Sequence, residues 1–142
     1  MDDLVQFLRA RLDEDEQGCR AATAGPWYVL GGEASEYAIH TTTDCAPTAA
    51  DVAATAYYGG GIWERADAEH IARHNPARVL AEVDAKRQAL AHYERIVQHT
   101  LKSDGGADYL FAEGAVRKQI QYMALPYAGH LDYRPIWAPD QA

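Results

Sequence analysis

Apolar positions repeat at helical spacing near the start of the chain. Leu4, Leu8 and Leu12 recur at every fourth residue, which places them on one face of a helix. Asp2 and Asp3 precede this run and complement the positive end of a helix dipole. The pattern predicts an N-terminal helix over residues 3–22.

The longest helical pattern follows Asn75 and Pro76, which suit the cap and the first turn of a helix. It predicts an amphipathic helix over residues 76–101, about 40 Å long. Such a helix needs cover for its apolar face, either from the rest of the chain or from a second copy along a dimer seam. Lys86 and Arg87 interrupt the heptad pattern that a seam requires. The apolar positions are Val79, Leu80, Val83, Leu90, Tyr93, Val97 and Leu101.

Shorter patterns complete the predicted fold. Asp67 is a candidate cap for a helix over 68–74, and a C-terminal helix is expected over 107–124. Aromatic and β-branched runs bounded by glycines predict a small antiparallel sheet. Its strands cover 27–30, 37–43 and 51–58, and an aromatic tail over 126–137 is expected to fold back. The fold class is therefore α+β, with an N-terminal helix, a small antiparallel sheet, a long central amphipathic helix and a C-terminal helix with a folded aromatic tail, in a single domain spanning 1–142.

Composition restricts the compartment in which the protein is expected and the class of partner that it is expected to bind. The 142 residues are 48% apolar and 24% charged, as in ordinary globular proteins. Thirteen basic against 21 acidic residues give a net charge of −8, which disfavours direct binding of nucleic acid. No apolar run approaches the roughly eighteen residues of a membrane span, and the acidic start is unlike a signal peptide. Cys19 and Cys45 lack the spacing of a zinc knuckle or a disulfide framework. We expect a cytoplasmic protein without membrane association.

Three segments resemble a family of small actinobacterial proteins of unknown function, also carried by phages and other mobile elements. They are LVQFLRARLDEDE (4–16) with ATAGPW (22–27), AEHIARHNPARVLAEV (68–83) and HLDYRPIW (130–137). Members often have proline where this chain has Leu131. Some carry a cysteine-bearing stretch before the last helix, which is absent from 103–111 here and removes a cysteine-based zinc site. The resemblance implies kinship of fold and no particular activity.

Two histidines form the sharpest candidate for chemistry. His70 and His74, spaced i,i+4, lie on one helix face and could share a zinc ion if His130 returned as a third ligand. Asp67 or Glu69 would then act as the base of a metal-dependent hydrolase. The H-E-x-x-H order of zinc proteases is absent, however, and the alternative is that these histidines hydrogen-bond the 75–76 junction and the tail. No nucleophilic triad or phosphate-binding loop is complete, so no catalytic residue is assigned and no cofactor is expected.

Interface-type side chains point to a different class of function. Tyrosine, tryptophan and arginine dominate protein interfaces and are concentrated in the tail, although they could equally serve the core. An acidic block on the first helix is either solvated surface or a docking patch, and it also suggests an inhibitor that mimics nucleic acid. The leading hypothesis is an accessory or regulatory protein that contacts another protein, as a monomer or as a homodimer through helix 76–101. The predicted partner-binding residues are Tyr127, Tyr133, Arg134, Trp137, Asp13, Glu14, Asp15 and Glu16.

Overall fold

The computed structural model describes residues 2–31, 37–43, 51–53, 62–102 and 107–139. Within them the chain forms four α-helices, three β-strands and two short 3-10 helices, which confirms the α+β class. In chain order these are α1 (Asp2–Ala21), β1 (Tyr28–Gly31), β2 (Tyr37–His40), β3 (Asp51–Ala53), α2 (Arg65–Arg73), α3 (Pro76–Lys102) and α4 (Ala107–Ala124), followed by the 3-10 helices Leu125–Tyr127 and Pro135–Trp137.

The chain divides into two compact units, to which α1 and α3 both contribute. The helical unit comprises Met1–Glu14 and Val83–Ala142, and the mixed unit comprises Asp15–Glu82. The single domain spanning 1–142 stays a prediction.

In the helical unit, α1 and α3 run antiparallel. Arg9 pairs with Glu94 at 2.7 Å, and Asp13 lies one turn later in α1 yet pairs with Arg87, earlier in α3, at 2.6 Å. These exposed ion pairs fix the register more than they add stability. The energy comes from apolar burial between the helices and the tail. The buried apolar residues are Leu4, Val5, Phe7, Leu8, Leu12, Val83, Leu90, Tyr93, Ile120, Ala124 and Trp137.

The mixed unit contains an antiparallel sheet in the order β1-β2-β3. Ile39 of β2 is fully buried, and α2 packs its buried Ala68 and Ala72 in contact with β1 and β2. The predicted second strand is too long, because the pairing of β2 with β1 ends at His40, opposite the first residue of β1. β3 begins at Asp51 as predicted, and 54–58 lie outside the described residues.

The predicted start of the short helix is wrong. The helix α2 begins at Arg65, three residues before the predicted Ala68, because Glu64 is the N-cap in place of Asp67. Glu64 has extended backbone, and its carbonyl accepts the N–H groups of Asp67 at 3.1 Å and Ala68 at 3.2 Å. An i,i+4 pair between Arg65 and Glu69 supports this extra turn.

The cap predicted for the central helix is confirmed. Asn75 Oδ1 accepts the backbone N–H groups of Ala77 at 3.0 Å and Arg78 at 3.3 Å, as an N-cap side chain does. Gly25 lies directly against this cap, since a Cβ added there would collide with the Asn75 side chain. The absence of a side chain at Gly25 therefore permits the start of α3.

No helix within the described ranges combines the length and the apolar character that crossing a bilayer requires.

Candidate functional site

The folded tail is built around Phe7 of α1. Its ring is 7% exposed and lies among four rings of the tail in the helical unit. The contacts are edge-on or tilted, the geometries that aromatic pairs prefer. The ring-centre distances from Phe7 are 6.4 Å to Tyr127, 5.8 Å to His130, 5.9 Å to Tyr133 and 5.1 Å to Trp137. The sequence places Phe7 beside the stripe of Leu4, Leu8 and Leu12, so that α1 buries two adjacent faces.

Arg11 lies one turn after Phe7 and is the one buried charged residue among those described. Its guanidinium lies 5.3 Å from the centre of the Phe7 ring, donates to Glu14 Oε1 at 2.7 Å and contacts His130 Nε2. The backbone N–H of Asp132 faces the other ring nitrogen of His130 at 3.1 Å. Both ring nitrogens of His130 are therefore engaged, and metal ligation by this residue would require one of these contacts to break.

Arg134 holds the tail from its outer side. Its guanidinium lies 5.4 Å from the centre of the Trp137 ring and donates to Asp3 Oδ2 at 2.8 Å. Trp137 is 9% exposed, and the hydroxyl of the half-buried Tyr133 is enclosed without a hydrogen-bond partner. The predicted interface aromatics thus turn towards Phe7, which matches the alternative that they serve the core.

The tail presents other apolar side chains to solvent. Leu131 is 100% exposed and Ile136 is 84% exposed. A groove of about 530 Å³ lies between α1 and the tail, and Leu131, Tyr133 and Trp137 are among its lining residues. Neither Leu131 nor Ile136 was singled out from the sequence as a site residue. The only signal is their position among the aromatic residues of the tail.

The predicted acidic block runs from Asp13 to Glu16. Its two members in the helical unit, Asp13 and Glu14, are both paired with arginines. Asp13 bonds Arg87 at 2.6 Å, and Glu14 bonds Arg11 at 2.7 Å. In the mixed unit, Glu16 pairs with Arg20 one turn further along α1. These pairs partly neutralise the block, which weakens its resemblance to a row of phosphates.

His70 and His74 are neighbours in the mixed unit. Their ring centres are 4.3 Å apart, and His74 Nδ1 lies 2.8 Å from the His70 carbonyl oxygen at the end of α2. Because a carbonyl oxygen can only accept, this hydrogen bond places a proton on Nδ1 of His74. Among the described residues, no three histidine, cysteine or acidic side chains lie close enough together to hold a metal ion.

Cys19 of α1 is a free, partly exposed thiol. Burial, and next the charge of Asp15, raise the pKa of Cys19 above its ordinary value. The less reactive thiol is therefore favoured over the nucleophilic thiolate. Cys45 lies outside the described residues.

Residues 1–139 match the Family of unknown function (DUF6221), and the chain belongs to this family. No curated protein and no solved structure matches the chain.

Proposed function

We propose that this chain is a small accessory or regulatory protein that acts through contacts with another protein. The observation that carries the proposal is the exposure of Leu131 and Ile136 beside a groove, on a tail fixed by aromatic packing. Large apolar side chains held in water beside a concave surface are typical of a docking site.

The anchoring of the tail favours binding. A free tail would lose conformational entropy on association, which opposes affinity. Here Phe7 and Trp137 already hold the segment in the free protein, and Arg134 ties it to α1 through Asp3. A partner therefore meets a preformed surface with apolar residues projecting from it.

The proposal also covers the class of the partner, the location of the protein, its source and its oligomeric state. A net charge of −8 supports a protein partner and disfavours direct contact with nucleic acid. The ordinary globular composition supports a cytoplasmic protein without membrane association. The segment resemblances support an origin in actinobacteria and their phages or other mobile elements. The protein acts as a monomer or as a homodimer through α3.

Site-specific photo-crosslinking in the native host tests the proposal. A photoreactive amino acid replaces Leu131 or Ile136 in the full chain, and Trp63, which is 64% exposed in the mixed unit, serves as the matched control. We expect one discrete protein adduct from positions 131 and 136 that is absent from position 63.

A charge variant makes the result specific. L131D combined with I136D should abolish the adduct formed from position 132, where the native side chain is 76% exposed, whereas W63D should leave that adduct unchanged. Both variants should stay folded because these side chains are mostly exposed. The absence of an adduct at 131 and 136, or the same adducts at all three positions, would contradict the proposal.

A further inference from the structure

Apolar side chains lie on two faces of α4, and the helical unit covers only one of them. Ile120 and Ala124 are fully buried, whereas Phe111 is 80% exposed and Tyr122 is 46% exposed. At 100° per residue, Phe111 and Tyr122 lie within about 20° of each other around the helix and far from the buried face. A helix that is apolar on both sides is typical of one covered on both sides. The outer face of α4 therefore lacks a cover among the described residues.

A row of basic residues lies along α3. The residues recur at spacings of three, four and three, which keeps them on one stripe about 15 Å long. All four side chains are exposed. They are His92, Arg95, His99 and Lys102.

The stripe is positively charged in a chain whose net charge is −8. Between Gln88 and Lys102 the only acid is Glu94, whose carboxylate is paired with Arg9 of α1 at 2.7 Å. Within the described part of the chain, no carboxylate pairs with Arg95 or Lys102. Among the described residues, Arg95 and Lys102 are therefore the members of this stripe that can face an external carboxylate.

A groove joins the basic stripe to α4. It has a volume of about 440 Å³, and its lining is mostly apolar. Ile96 of α3 and Ala112 of α4 are its aliphatic lining residues, and His92, Arg95 and His99 line it from α3. The α3–α4 groove, as we call it, thus combines an apolar lining with the cationic side chain of Arg95.

We propose that the α3–α4 groove docks an acidic amphipathic helix of a partner protein. This inference rests on the proposed function and names the chemical class of the partner. Apolar residues of the docked helix would fill the groove against Ile96 and Ala112, in the manner of other helix-in-groove complexes. Carboxylates spaced three or four residues apart would then face Arg95 and Lys102 along the stripe.

Charge decides among the occupants that an apolar groove could accept. A second copy related by two-fold symmetry would bring the basic stripe against itself, because such an interface uses the same patch twice. An anionic bilayer would extend beyond the groove and meet a protein of net charge −8. A single acidic helix avoids both costs, because it contacts only the groove and the basic stripe.

A displayed library of random peptides of about 20 residues, long enough to form a helix on binding, tests this assignment with the full-length protein. We expect selection to enrich acidic sequences with apolar residues at spacings of three and four. R95E and A112E should each weaken binding of the selected peptide by about tenfold or more. R73E, on the exposed end of α2, and W63S, at a side chain that is 64% exposed in the mixed unit, are matched controls and should bind as the wild type does.

Each other outcome overturns the assignment. Basic or unpatterned peptides, or equal binding by R95E and the controls, would remove the acidic helix as the occupant. Co-sedimentation with phosphatidylcholine vesicles containing phosphatidylglycerol would identify a membrane instead, and a dimer dissociated by R95E would identify a second copy. Crosslinking from Leu131 and Ile136 reports a different surface, so failure of the groove and failure of the proposed function are distinguishable.

Discussion

Replacement of Phe7 by alanine tests whether one ring holds the tail on α1. Phe7 is 7% exposed and contacts four aromatic rings, so F7A removes a buried side chain and the packing surface of the tail. Buried Phe→Ala changes lower the free energy of unfolding by about 3–5 kcal/mol. We expect about 4 kcal/mol here, a large fraction of the roughly 5–15 kcal/mol that stabilises a domain. The corresponding fall in Tm is about 8–16 °C.

The chain supplies its own control, because it contains two phenylalanines and the other is exposed. F111A makes the same change on a helix where the ring is 80% exposed, and it should alter the free energy of unfolding by less than about 0.5 kcal/mol. Urea denaturation followed by circular dichroism measures both variants. In F7A, hydrogen exchange should also accelerate at the amides of Trp137 and Ala138, which bond the carbonyls of Arg134 and Pro135 in the tail. Equal losses in the two variants, or a loss below about 1 kcal/mol in F7A, would refute the assigned role of Phe7.

Three further predictions follow from local features. G25A should lose about 1–2 kcal/mol because its Cβ displaces the Asn75 cap, whereas G114A, with open space around it in α4, should gain about 0.5–1 kcal/mol; thermal denaturation that ranks them otherwise would contradict this. Burial, and next the charge of Glu113, raise the pKa of Tyr93 above its ordinary value of 10.0, so the folded state retains the phenolic proton longer. The free energy of unfolding should therefore fall as pH rises above about 10, and Y93F should lack this loss in denaturation curves at graded pH. Protein expressed with added zinc, manganese or iron should carry less than about a tenth of an equivalent of metal by elemental analysis. The reason is that a structural or catalytic site needs at least three protein ligands. One equivalent of bound metal would contradict this prediction and support the metal-dependent hydrolase.

The helices were predictable because their signals are local. Periodicity placed α1 and α4 within one residue of their observed ends, and the Asn75 cap fixed the start of α3. The start of α2 was not predictable in this way, since Asp67 is the better capping residue by type but Glu64 has the extended backbone that a cap requires. Here the backbone geometry overrode the intrinsic preference.

The candidate site was harder to predict because it depends on contacts between distant parts of the chain. Composition identified the tail aromatics as interface residues, but it contained no sign that Phe7 would face them from α1. Tyr133 and Trp137 pack against Phe7, and the large apolar side chains of Leu131, before them, and Ile136, between them, are left in water. Predicting which tail residues are buried and which are exposed requires knowing that the tail packs on Phe7 of α1.

The same distinction between composition and placement underlies the proposed charge of the partner. A net charge of −8 directs attention to the acids of α1 and hence to a basic partner. Asp13 and Glu14, however, are paired with arginines of the same unit, and such pairing reduces their attraction for an external cation. Arg95 and Lys102, which no described carboxylate pairs, lie on α3, and Arg95 lines an apolar groove. Selectivity for acidic rather than basic peptides is the property that distinguishes a partner at this groove from one at the acids of α1.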